Sequence, residues 1–78
     1  MEKWYFISFR NPQMNRNLGC CNVSAKGGSQ EALDKTVELE INPGGEAAIF
    51  LISEPELVPN RLYSRKEMID LNYEKINE

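Results

Sequence analysis

Trp4-Tyr5-Phe6-Ile7-Ser8-Phe9 is the stretch that decides the fold. It is built from aromatic and β-branched residues, which suit a pleated and packed surface. Successive side chains of a strand point to opposite faces. Here both faces are apolar, with Tyr5, Ile7 and Phe9 on one and Trp4 and Phe6 on the other. A strand of that kind needs cover on both sides, so residues 4–9 read as the centre of a sheet. The rest of the chain must then supply its neighbours and its cover.

Asn11-Pro12 opens a polar loop that runs to Asn17, and Leu18 to Ala25 reads as a second strand. The two strands form an antiparallel hairpin whose loop is longer than the usual two to five residues. Lys26-Gly27-Gly28-Ser29 breaks the second strand, with Ser29 as the expected N-cap of a helix from about Gln30 to Glu40. Ala32, Leu33, Val37 and Ile41, with the methyl of Thr36, make one apolar stripe on that helix. Asn42-Pro43-Gly44-Gly45 ends it, because proline restricts its predecessor and glycine accepts positive φ. Ala47 to Ile52 is an unbroken apolar run and reads as a third strand buried on both faces. Residues 53–63 have little periodicity and form an irregular connection. Ser64-Arg65-Lys66-Glu67 has the spacing of a capping box and predicts a C-terminal helix over 64–77, packing through Met68, Ile69, Leu71, Tyr73 and Ile76.

The expected architecture is therefore a single α+β domain spanning 1–78, ordered β-β-α-β-α. Its three-stranded antiparallel sheet has spatial order 2-1-3, one helix packed on a face, and a short C-terminal helix. The second face is left to that last helix or to another subunit. A homo-oligomer, with a dimer as its simplest form, is the preferred source of cover.

A net charge of −3 argues against general nucleic-acid binding, which needs clustered Lys and Arg facing phosphates. No segment approaches the ~20 apolar residues that cross a bilayer, and Met1-Glu2-Lys3-Trp4 lacks the features of a secretory signal. The adjacent Cys20 and Cys21 point to opposite faces of a strand, which suits packing in a reducing cytoplasm better than a disulfide. The chain has no histidine. Most zinc sites and the Ser-His and Cys-His dyads are thereby excluded. No cofactor is expected, and the chain is read as a non-enzyme.

Two glycine loops are the candidate ligand-binding elements. Lys26, Gly27, Gly28 and Ser29 lie at the edge where the second strand ends and the helix begins. A helix N-terminus there offers free N–H groups to an anion, and Arg61 and Arg65 are placed nearby as further cations. Asn42, Gly44, Gly45 and Glu46 lie at the opposite edge, beside Arg10, Asn11 and Arg16. Within one subunit the two loops cannot share a pocket, so a shared ligand would require an oligomer. Each loop also has a purely structural explanation, as a cap or as a turn.

The Trp4-Tyr5-Phe6-Ile7-Ser8-Phe9 strand, Leu18-Gly19-Cys20-Cys21-Asn22-Val23, Glu31-Ala32 and Ile41-Asn42-Pro43-Gly44-Gly45-Glu46 together resemble a group of small uncharacterised phage and prophage proteins. The resemblance covers about the first 55 residues, and the Asn-Pro-Gly-Gly-Glu turn is its specific part. Glu40 departs from it, since glycine is expected as the helix terminator. The resemblance implies a setting, the bacterial cytoplasm, and no activity. The expected function is sequestration of a host ligand, such as an anionic nucleotide signal of antiviral defence. The alternative is a protein-binding inhibitor or adaptor that uses a strand edge or the apolar sheet face. Both work without a membrane.

Overall fold

The computed structural model describes residues 1–72. The elements are β1 (Lys3–Asn11), β2 (Arg16–Ala25), α1 (Ser29–Glu38), β3 (Glu46–Ile52), β4 (Tyr63–Ser64) and α2 (Arg65–Asp70). The strands form one antiparallel sheet of order β3-β1-β2-β4. The central place of β1 and its flanking by β2 and β3 follow the sequence expectation. The sheet has four strands rather than three, because Tyr63 and Ser64 pair with Cys20 and Gly19. A two-residue strand has no periodicity to read, which is why 53–63 appeared wholly irregular. The hairpin strands also run further than expected and leave only 12–15 as their loop.

Tyr5, Ile7, Phe9, Cys21, Val23 and Ala25 form a buried cluster with Ala32 of α1. This is the first face of the sheet. Phe6 and Cys20 lie on the second face, clustered with Tyr63 and Met68, and Leu57 packs against them. The two-sided apolarity of β1 is thus met by a different layer on each side. Gly19 makes the second layer possible. The β1–β2 register slips beside it, between Phe9 and Arg10, and a Cβ at Gly19 would sit 2.6 Å from the Tyr63 carbonyl oxygen. Only glycine lets β4 approach the bulge this closely.

Cover on the second face depends on Asn22, whose side chain is fully buried. Its amide oxygen accepts the backbone N–H groups of Glu56 (3.0 Å) and Leu57 (2.8 Å). Its backbone carbonyl accepts the N–H of Asn60 (2.8 Å). Three backbone donors of the 53–62 connection are therefore satisfied by one residue of β2. The Tyr63 hydroxyl accepts a fourth, from Val58 at 3.2 Å.

The helix ends differ from one another. The capping box expected at Ser64 and Glu67 is formed, each side chain accepting the other's backbone N–H at 3.1 Å. The helix it starts ends at Asp70, with Leu71 as its C-cap and Asn72 in the left-handed region at φ 56°, so the expected run through 71 and 72 does not form. Ile69 and Leu71, expected to pack, are exposed, and the rest of the expected helix, with Tyr73 and Ile76, lies outside the described residues. At α1 the cap is Gly28, with no side-chain bond, and Ser29 is the first helical residue. Ser29 is thus not the cap, and the Glu31 carboxylate accepts the Gly27 N–H instead. At the other end of α1 the Ile41 N–H reaches Thr36 O (2.9 Å) and the Glu40 N–H reaches Val37 O (3.0 Å). That is the Schellman pattern, with Glu40 in the left-handed place at φ 60°.

β3 differs most from expectation. Read as buried on both faces, it is an edge strand, with Phe50 at 53 % and Leu51 at 63 % exposure. Nothing among the described residues covers its outer side.

Two stability measurements check this account. Replacing Glu40 by Gly removes the left-handed strain and should stabilise the fold by about 0.5–1 kcal/mol in denaturant melts. Asn22→Ala leaves the Glu56 and Leu57 donors without their acceptor. It should cost about 2–3 kcal/mol and make 53–62 the first segment cut in limited proteolysis.

Candidate functional site

The sequence-predicted residues fall into three separate places. Lys26, Gly27, Gly28 and Ser29 stand where β2 ends and α1 begins. Asn42, Gly44, Gly45 and Glu46 stand at the opposite end of the sheet, where Glu46 pairs with Arg10. Arg61 and Arg65 flank β4 at the β2 edge. β4 runs antiparallel to β2 and pairs with Gly19 and Cys20, so it carries Arg65 away from the Lys26 end. The chain does not bring these three groups together.

Each group has local partners. The Glu31 carboxylate already occupies the Gly27 N–H. The adjoining depression is lined by four carboxylates (Glu2, Glu31, Asp34, Glu38) against the cations Lys26 and Lys35. Lys35 Nζ donates to the Ser24 carbonyl at 2.9 Å. A phosphate arriving there would meet net negative charge and a donor already used. At the other end, the Asn42 amide donates to Thr36 Oγ1 (3.0 Å), and its oxygen accepts the Gly44 N–H (2.8 Å). Gly45 has φ 75°, and a Cβ there would collide with the carbonyl oxygen of Arg10. The second glycine of the pair is thus required by the chain's own backbone, without invoking a ligand.

Arg61 bonds Glu67 at 2.6 Å, and its guanidinium carbon lies 4.2 Å from the centre of the Tyr63 ring. Bonds to Glu67 and Tyr63 raise the Arg61 pKa. The Ser64 backbone N–H, and then Arg61, lower that of Glu67. This cation is committed to fixing β4 against α2.

Neither cysteine is poised for chemistry. Burial, helped by Glu67, pushes the Cys20 thiol up to about 12. Burial, helped by Cys20, does the same for Cys21, also to about 12. Both side chains are fully enclosed. Almost no thiolate exists at neutral pH, and the thiolate is the nucleophile. Among the described residues there is no group of three or more His, Cys, Asp or Glu side chains that could hold a metal ion.

The open feature lies elsewhere. On the second face, where β1 meets β3, Phe6, Ser8, Ala48, Phe50 and Ile52 line a depression of ≈ 360 Å³. The rings of Phe6 and Phe50 are 6.1 Å apart and tilted by 37°. Phe6 is 1 % exposed, so it forms the floor, while Phe50 forms the wall. Sequence reasoning singled out none of these five as site residues. The signal was present in Ala47 to Ile52 as an apolar run without charge, but a run of that kind looks the same buried or exposed.

No helix among the described residues is long and apolar enough to cross a membrane. No protein-family model, curated protein or solved structure matches this chain.

The thiol environment gives a pH prediction with a defined sign. A thiol with a pKa of 9.0 when unfolded and about 12 when folded binds more protons in the native state between those values. Stability should therefore be full below pH 9 and fall as pH rises toward 12, steeply because two thiols contribute. Thermal melts across that range check it. At pH 8 a thiol-reactive dye should label neither cysteine until the chain is unfolded.

Proposed function

We propose that this chain is a non-catalytic protein-binding module, an inhibitor or adaptor that takes its target on the apolar second face of the sheet at β1 and β3. The supporting observation is the exposure of Phe50 above the depression floored by Phe6. A half-exposed aromatic beside apolar neighbours and little charge has the composition of an interface core. Each apolar side chain left in water there forgoes about 1.5–3 kcal/mol of burial, and a partner that covers it recovers that energy.

Sequestration of an anionic nucleotide has weaker support. It would draw on the N–H groups of the α1 N-terminus, where Glu31 is already bound and carboxylates outnumber cations. It would also draw on the Asn42-to-Gly45 turn, whose polar groups bond within the chain. The likeness to small phage and prophage proteins suggests the setting, a bacterial cytoplasm with a host protein as target.

Two experiments decide between these. A photo-crosslinking residue at position 50, expressed in bacteria, should give a dominant adduct with a protein other than a second copy of this chain. The same residue at Val58 or Leu39, exposed away from the depression, should not. Phe50→Asp supplied in excess should fail to compete for that target, while its melting temperature stays within a few degrees of the parent. In parallel, thermal melts with mono-, di- and cyclic nucleotides should show no shift. A ligand at 100 times its dissociation constant would stabilise by about 2.7 kcal/mol. Such a shift would return the anion reading and overturn this one.

A further inference from the structure

We propose that two copies of this chain pair antiparallel along β3, about a two-fold axis through Ile49 and perpendicular to the sheet. The pairing itself stands on the β3 edge alone; what it does for target binding rests on the face described above.

An open edge strand is a template for another strand, and natural edges are blunted with Pro, Lys, bulges or a covering element. Among the described residues β3 has none of these. It is seven residues long, Glu46-Ala47-Ala48-Ile49-Phe50-Leu51-Ile52, with Glu46 as its sole charge, and pairs with β1 without a break in register. The opposite side of the sheet is treated differently. There β2 is paired over only two positions, and the 53–62 connection and α2 continue the cover.

The sequence of β3 also fits itself. An axis perpendicular to the sheet keeps both copies' α1 helices on one side, and it allows only registers in which paired residues share a face. Centred on Ile49, the register uses the whole strand and sets Ala48 opposite Phe50, Ala47 opposite Leu51 and Ile49 opposite Ile49, with Glu46 opposite Ile52 at the two ends of the pairing. Each large exposed side chain then meets a methyl group. Phe50 would lie between Phe6 of its own chain, 6.1 Å away, and the small Ala48 of the other copy. Centring on Phe50 instead would put Glu46 opposite Glu54, a like-charge pair that destabilises. Centring on Ala48 would put Glu46 against Phe50 and leave Ile52 facing Gly44. Charge agrees with the choice. Each chain carries −3, and from Ala47 to Ser53 there is no ionisable side chain to repel its copy.

Pairing makes one eight-stranded sheet from two four-stranded ones. It also joins the two depressions, since Phe6, Phe50, Ala48 and Ser8 of alternate copies fall in one row across the axis. The target face is then a continuous apolar platform with two-fold symmetry. Two short strands bury less than a standard interface of roughly 1,600 Å², so the dimer should be reversible and depend on concentration.

Sedimentation and native mass spectrometry over a concentration series test the pairing. A species of twice the 9.0 kDa chain should appear and grow with concentration. Leu51→Glu, at a position already exposed in the single chain, should raise the dimer dissociation constant roughly tenfold or more, with an unchanged circular dichroism spectrum. Register is tested separately, with Ala48→Cys and Phe50→Cys chains under mild oxidation. Mixed together they should form an intermolecular disulfide that neither forms alone, and the enclosed Cys20 and Cys21 do not compete. A 9.0 kDa species at every concentration overturns the proposal. So does a dimer indifferent to Leu51→Glu, or cross-linking no better in the mixture than in the single variants. The two readings fail separately. A monomeric chain that still captures its target through Phe50 refutes the pairing alone. A dimer whose position-50 crosslinks reach only another copy refutes the target face alone.

Discussion

The amide oxygen of Asn22 sets how the second face of the sheet is divided. β1 is apolar on both sides, so each side must be covered if the strand is to be central. α1 covers one side by ordinary amphipathic packing through Ala32 and its neighbours. The other side has no long helix among the described residues. It is covered by an irregular segment, which carries backbone donors that a sheet face does not normally satisfy. Asn22 satisfies two of them with its side chain and a third with its carbonyl. The segment therefore stays on the face long enough to bring Leu57, Tyr63 and Met68 onto Phe6 and Cys20.

That anchor also decides what remains open. The connection leaves β3 at Ile52, crosses the second face to β2, and turns back as β4 along the far edge. Among the described residues, cover gathers over Phe6, Cys20 and Asn22, and stops short of Ala48 and Phe50. The exposed strip is thus a consequence of the route that hydrogen bonding imposes on 53–62. The same route fixes Arg61 between Glu67 and Tyr63, so a cation that looked available for a ligand serves to hold β4 and α2 together.

Several features of this molecule resolve into local chemistry once neighbours are known. Gly45 is a glycine because Arg10's carbonyl leaves no room for a Cβ. Asn42 ties the turn to Thr36. Glu31 takes the place that an anion would occupy at the α1 start. Each of these lowers the need for a ligand at the glycine loops, and each depends on contacts that no spacing rule reports.

The sequence by itself determined every element except β4, and their order. A run of aromatic and β-branched residues, apolar on both faces, named β1 and its central place, a three-and-four spacing named α1, and Ser64 with Glu67 named the start of α2, because these signals lie within a few residues of one another. It also excluded histidine chemistry outright. The tertiary structure alone decided β4, the division of the second face, and the fate of β3. A two-residue strand carries no period, a single buried asparagine looks like any other polar residue in a strand, and an uncharged apolar run reads alike whether its partner lies within the chain or outside it. Exposure is a relation between distant segments, and among the described residues the path of 53–62 across the sheet sets it.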